Sequence, residues 1–265
     1  MITLSSDFGS PYPAAMRGVI LDRCDARLVD VSHEFPRHDV RATAFWLRET
    51  LPYFPPAVHC VVVDPGVGTD RDAIVVRVGR HALVAPDNGV VLPVARALAG
   101  LDPGEPLADA THQTVAAYVV DDADAASSTF HGRDVFAPAA ARVHEVGVAA
   151  VGGMDGVEET DVDDLVDCTL PAASVAGDRA DGEVLVVDDF GNAVTNVPGG
   201  FLADVDAVTV DGERVPVGET FAAVPEGEQL VTVGSHGNVE CDVNRGRGDE
   251  AFGLAPGDEV TIERC

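Results

Sequence analysis

The chain has 265 residues, 46% of them hydrophobic and 5% aromatic, enough for one or two domains with a sizeable core. Acidic residues number 45 against 17 basic ones, all of them arginine, for a formal charge of −28; this excludes a nucleic-acid backbone as partner, which would need clustered Lys and Arg. No run approaches the roughly 20 apolar residues of a membrane span, and no basic segment followed by an apolar stretch opens the chain, so neither a membrane partner nor a secretory signal is expected.

In chain order, Met1–Ser5 reads as a short strand ending in Asp7-Phe8-Gly9, and Leu28–Val31 as a second. Asp39–Tyr53 is a helix: Asp39 can cap it, and Val40, Ala44 and Leu47 recur at helical spacing. Val58–Val63 is a continuous apolar run, the pattern of a strand buried on both faces. Ile74–Val78 and His81–Ala85 form the arms of a hairpin around Gly79-Arg80. Gly89–Ala99 and Val135–Val146 read as helices. The alternation predicts an α/β domain over 1–166 with a mostly parallel sheet and helices on both sides. The acidic stretch Glu158–Asp167 reads as a solvated loop, and Asp167–Ser174 as a linker. Beyond it the strands Glu183–Val187, Ala193–Val197, Ala207–Val210, Leu230–Val233, Val239–Val243 and Glu259–Ile262 are separated by Gly, Pro and Asp. That spacing predicts a small all-β barrel over 175–265.

The acids are spread along the whole chain, as in cytoplasmic proteins of salt-accumulating halophiles, where dense carboxylates keep a protein soluble in high salt. The five cysteines are far apart and form no CxxC, which points to reduced thiols in a cytoplasm rather than a disulfide framework or a zinc site.

In an open parallel sheet, ligands bind beyond the carboxyl ends of the strands. Asp7 in SSDFG, Asp64 in VVDPGVG and Asp87 in APDNG all stand at such ends. A turn aspartate bonding its own backbone is the commonest use of Asp beside Gly, and for Asp87 that use is as good an account as any. At Asp64, Pro65 and Gly66 make a sharp turn that pins the carboxylate at the rim, and Arg71 can fold back onto it; the spacing alone also fits a plain surface ion pair. In SSTFHGRDVFAPAAA a helix starts near Asp134, with Pro138 in its early turns. A lone histidine is usually structural, but His131 on the loop before a helix, with Gly132 opening space beside it, is a better candidate base. DDFGNAVTN and GSHGNVECDVNRG read on their own as β turns. No GxGxxG, P-loop, HExxH or GxSxG occurs, and no spacing demands a metal.

Taken in order, SSDFG, SHEFPRHDV, VVDPGVGTDR, APDNG, STFHGRDVFAPAAA, DDFGNAVTN and the SxxGxxExxVNRG pattern from Ser235 resemble the S-adenosyl-L-methionine hydroxide adenosyltransferases, relatives of the S-adenosylmethionine-dependent fluorinase and chlorinase. The resemblance spans nearly the whole chain. It implies cleavage of S-adenosyl-L-methionine by water to adenosine and L-methionine, without metal or cofactor, by a triad that maps onto Asp64, Arg71 and His131. It also implies a homotrimer, with substrate between the amino-terminal domain of one subunit and the barrel of its neighbour. Asp7 then matches the acid that holds the ribose hydroxyls, and Asn192 the residue that binds adenine. Asp188 matches the acid near the methionine ammonium, and Ser235 the serine at the methionine carboxylate. Glu240, Val243 and Arg245 fall in the segment lining the adenine pocket. Two rival activities stay in view: chloride transfer to the same substrate, and a non-catalytic sensor of S-adenosylmethionine or adenosine. Against the first, the halogenases carry a tyrosine after DPGV, where Gly68 stands here.

Overall fold

The computed structural model of the chain describes residues 1–69, 71–121 and 129–265. Asp70 of the DPGVGTDR turn, and Ser127 and Ser128 of the SSTFHGRD stretch, lie outside the described residues. The chain divides into two compact units, Met1–Thr169 and Leu170–Cys265.

The first unit is built on one seven-stranded sheet. Its strands are β1 (Ile2–Ser6), β2 (Leu28–Ser32), β3 (Val58–Val62), β4 (Ala73–Val78), β5 (His81–Pro86), β6 (Val115–Val120) and β7 (Val157–Thr160), in the order β2-β1-β3-β5-β4-β6-β7. From β2 to β5 the neighbours run parallel; from β5 to β7 they run antiparallel. The reversal is made by the expected hairpin, in which Val78 faces His81 across Gly79-Arg80. The sheet is therefore parallel in the half that carries the motifs and antiparallel beyond it.

Helices cover both faces. They are α1 (Tyr12–Leu21), α2 (Val40–Thr50), α3 (Leu92–Ala99) and α4 (Ala137–Val146). Val58, Cys60 and Val62 of β3 join Met16 and Ile20 of α1 and the alanine-rich face of α4 in one core. Val61 and Val63 join Leu47 of α2 and Val94 of α3 in the other. A strand with side chains packed on both sides must be apolar at every position, which accounts for the uninterrupted run from Val58.

Asp39 caps α2 as expected, its carboxylate accepting from Ala42 N at 2.9 Å, and a 3-10 turn extends that helix to Tyr53. The third helix begins at Leu92 rather than Gly89, because Gly89 is left-handed and the first turn forms around Pro93. The last begins with a π turn, Gly132–Phe136, which hands over to α4 just before Pro138, a residue with no N–H to donate. Helix α1 was not expected from the sequence, although Pro13, Met16 and Ile20 are buried at helical spacing. Nor were β6 and β7. The acidic stretch is not simply a solvated loop: Glu158 and Glu159 pair with Val119 and Tyr118 at the sheet edge, where one face remains in solvent. Asp167 at its end forms a two-bond ion pair with the buried Arg96.

The second unit contains β8 (Ser174–Ala176), β9 (Arg179–Val187), β10 (Ala193–Pro198), β11 (Ala207–Val210), β12 (Glu213–Pro216), β13 (Gln229–Val233), β14 (Asn238–Val243) and β15 (Glu259–Arg264), with the short helix α5 (Gly248–Phe252). They form an antiparallel sheet in the order β12-β11-β15-β9-β10-β14-β13, with β8 beside β9. A bridge between Val217 and Val231 links the β12 and β13 ends and closes the sheet into a barrel around Val184, Val197, Val208, Val231, Val239 and Ile262. Ser174, read as the end of the linker, opens β8.

Candidate active site

In the first unit, Asp7, Asp64 and His131 line one cleft of about 140 Å³. Phe8, Arg37, His38, Val67 and Phe130 complete its walls. Strands β1 and β3 are adjacent and parallel, so their carboxyl ends stand side by side. This brings Asp7 and Asp64, far apart in sequence, to the same rim.

Asp64 is held from two directions. Gly66 N donates to its Oδ1 at 3.0 Å, and Arg71 Nη1 donates to the same oxygen at 2.6 Å. The Asp64 side chain is only 6% exposed, which separates this pair from an ordinary surface ion pair. The turn is pinned by Val67 N on the Asp64 carbonyl and by Thr69 Oγ1 on the Gly66 carbonyl. Asn88, from the APDNG motif, donates to the Val63 carbonyl at 2.8 Å and accepts from Val90 N, fixing the strand end just before Asp64. Asp87 of the same motif accepts from Val166 N, and burial pushes its carboxyl up.

His131 stands at the N-cap of the π turn. The ring of Phe130 beside it packs edge-on against Phe8 and Tyr12, with centroids 6.0 and 5.4 Å away. A side chain at Gly132 would meet Phe130 at 3.1 Å and Met16 Sδ at 3.2 Å, so the glycine lets the loop lie close to this aromatic wall. Two parallel bonds from Arg133, which also covers the Phe130 ring, hold the Asp134 carboxyl below its ordinary range. Asp7 is buried, and its Oδ2 accepts from His38 N at 2.7 Å.

The remaining predicted residues lie in the second unit. Asp188 closes the turn between β9 and β10. Its Oδ1 accepts from Phe190 N and Asn192 N, each at 2.9 Å, and its Oδ2 accepts from Asn192 Nδ2 at 3.0 Å. Asn192 is thereby fixed and buried, while Phe190 is 80% exposed. On β14, Glu240 accepts from His236 Nε2 at 2.8 Å. Asn238 N donates to His236 Nδ1, so the proton of the neutral ring sits on Nε2. Ser235 is exposed in the turn before β14, and Val243 is buried at the end of that strand. Arg245 follows in a left-handed conformation and pairs with Glu226 at the surface. Asp242, which the sequence did not single out, is fully buried beside Glu240, and burial pushes its carboxyl up to about 7.

Two features of the first unit escaped sequence reasoning: the aromatic wall and the bonds of the SHEFPRHDV segment behind Asp7. The position of that segment, directly after a parallel strand, was the available signal. Among the described residues no three His, Cys, Asp or Glu side chains are grouped as a metal would require, and no helix is long and apolar enough to cross a membrane.

Sequence profiles of two domains match the chain: the SAM hydroxide adenosyltransferase N-terminal domain over residues 2–152, and the C-terminal domain over residues 182–261. The chain is 41% identical to the (R)-S-adenosyl-L-methionine hydrolase of Thermus thermophilus, over 97% of each chain. It is 37% identical to the protein of that name from Salinispora tropica, over 98% of this chain and 97% of the relative. Among solved structures, an uncharacterized conserved protein from Thermotoga maritima superimposes with a TM-score of 0.81 at 30% identity, each chain fully covered.

Proposed function

The chain belongs to the SAM hydroxide adenosyltransferase family, and we propose that it cleaves S-adenosyl-L-methionine with water to give adenosine and L-methionine. The observation that carries this reading is the buried Asp64–Arg71 pair at the rim of a cleft that also holds Asp7 and His131.

The substrate is a sulfonium, so methionine leaves without protonation. The protein's task is to place an oxygen nucleophile in line with the ribose C5′, and positioning of this kind can contribute roughly 7–11 kcal/mol. Asp7 holds the ribose hydroxyls. His131 accepts a proton from the attacking water. Arg71, oriented by Asp64, stabilises the developing hydroxide. Asn192, Glu240, Val243 and Arg245 hold adenine, while Asp188 and Ser235 hold the methionine end. No cofactor takes part.

The 140 Å³ cleft is smaller than the roughly 300–1,000 Å³ of ordinary small-molecule sites. This supports a site completed by a neighbouring copy, in a homotrimer where the barrel of one subunit covers the cleft of the next. Mixing His131→Ala with Asn192→Ala subunits tests it: exchange should restore part of the activity, because some interfaces then pair two intact halves. If each subunit holds a whole site, every site in the mixture stays defective. The dispersed carboxylates and five free cysteines support a halophile's cytoplasm as the working environment.

The decisive assay is incubation with each sulfonium epimer of S-adenosyl-L-methionine in molar potassium chloride, with products identified by liquid chromatography and mass spectrometry. The relatives are named for the (R) epimer, and that epimer is expected to give adenosine and methionine. Both products should vanish in Asp64→Ala, and His131→Ala should lower kcat by about 10²-fold. A chlorinated nucleoside would make the protein a halide transferase; saturable binding without product would make it a sensor.

A further inference from the structure

Behind Asp7 lies a chain of polar side chains that the reaction does not use. Ser6, the last residue of β1, is fully buried. Its hydroxyl lies 2.7 Å from His33 Nδ1, and His33 Nε2 lies 3.1 Å from Asp30 Oδ1. Arg17 on α1 donates from Nε to the same Asp30 oxygen at 3.1 Å. An ionised carboxylate only accepts, so Nε2 carries the hydrogen. In the neutral ring this leaves Nδ1 to accept the Ser6 proton. The order serine, histidine, aspartate is that of a nucleophilic triad. Ser6, however, has no exposed surface and does not line the cleft, so it cannot reach a substrate.

What the array does reach is Asp7. The segment after β2 is tied to the segment after β1 at three points. Ser6 Oγ bonds the His33 ring, Gly9 N donates to the His33 carbonyl at 2.9 Å, and His38 N donates to Asp7 Oδ2 at 2.7 Å. The last contact comes from a residue in the left-handed region, with φ at 61°. That conformation is costly for a side chain bearing a Cβ and persists only where its surroundings hold it. His33 is the one residue bonded to both neighbours of Asp7's backbone turn.

We propose that His33 is a positioning residue for Asp7, fixing its carboxylate through Ser6 on one side and through the 33–38 segment on the other. The inference rests on the reading that Asp7 holds the ribose hydroxyls. It makes a specific demand: loss of His33 should weaken recognition of those hydroxyls more than it weakens anything else.

The experiment measures calorimetric Kd values for adenosine and 2′,3′-dideoxyadenosine, with kcat and KM for S-adenosylmethionine, on the full-length protein. The variants are His33→Ala, His33→Asn, Ser6→Ala, Asp7→Ala and the Asp7→Ala/His33→Ala double variant. In the wild type, adenosine should bind more tightly than its dideoxy analogue. His33→Ala should weaken adenosine about tenfold, leave dideoxyadenosine nearly unchanged, and raise KM more than it lowers kcat. Ser6→Ala should do the same to a smaller degree. His33→Asn, whose amide can still meet the Ser6 hydroxyl, should recover most of the loss. In the Asp7→Ala background, His33→Ala should have no further effect. Equal weakening of both nucleosides, or additive effects in the double variant, would overturn the inference and leave the reading of Asp7 standing. A wild type that does not distinguish the two nucleosides would remove that reading and the inference with it.

Discussion

The Arg71 guanidinium lies directly against Gly66. A Cβ built at position 66 would stand 2.8 Å from both Cζ and Nη2 of that arginine. The turn that pins Asp64 therefore also leaves the space in which its partner rests. Because the crowded atoms are the far end of a flexible side chain, an added methyl would move the guanidinium rather than the backbone. Gly66→Ala should keep a melting temperature within a few degrees of wild type and lose about 10²-fold in kcat, the scale of removing one preorganised charge-stabilising donor. Thermal melting and steady-state kinetics on the same sample check this; undiminished turnover would show that the Arg71 position does not matter.

Asn88 secures the same strand end from behind. Its amide donates to the carbonyl of the fully buried Val63 at 2.8 Å. Asn88→Ala leaves that carbonyl without its donor, at a cost of about 1–3 kcal/mol, and loosens the residue before Asp64. Both stability and kcat should fall. Asn88→Asp keeps the acceptor for Val90 N but loses the donor, so chemical denaturation should rank it near the alanine variant rather than near wild type.

Asp242 gives the barrel a pH dependence. Thr232 Oγ1 donates to its Oδ2 at 2.7 Å, while Oδ1 has no partner among the described residues. Burial, the largest cause, lifts the carboxyl from an ordinary 3.8 to about 7, with Glu240 and Asp188 adding to the rise. The folded form thus holds a proton that the unfolded chain releases near pH 4. The stability this contributes is fully present below pH 4 and is lost as pH rises through 7. Above 7 the barrel carries a buried charge. Asp242→Asn should stabilise the protein at pH 8 by roughly 3 kcal/mol and change it little at pH 4. Melting curves across that range should therefore lie flatter for the variant; parallel curves would show that Asp242 is ionised throughout.

His236 and Glu240 form a nearly buried pair, with side chains 6% and 10% exposed. His236→Leu removes the donor and strands the carboxylate, which should cost about 1–3 kcal/mol. Adding Glu240→Gln removes the charge that was stranded and should recover part of the loss. A double-mutant cycle on unfolding free energies measures the recovery; strict additivity would mean that the pair does not couple.

Local chemistry made much of this protein legible in its residues. Val58–Val63 could only be a strand buried on both faces, Asp39 had to cap what followed, and Gly79-Arg80 had to turn a hairpin. Asp-Pro-Gly after an apolar run returns the chain sharply, which brought Arg71 within reach of Asp64. These features depend on neighbours a few residues apart, where steric and hydrogen-bonding rules act directly. The motif order carried the family for the same reason: residue types at fixed short spacings survive as a readable pattern. What escaped was decided over distance. Helix α1 and strands β6 and β7 are held by packing and pairing that their own short patterns express weakly. The acids of Glu158–Asp167 belong partly to a sheet edge and partly to an ion pair with Arg96, because a strand at an edge needs only one dry face. Above all, nothing local places Ser6 beside His33, or Asp7 beside Asp64. Both juxtapositions follow from β1 lying between β2 and β3 in parallel, a long-range pairing settled by burial of the whole sheet between two helical layers.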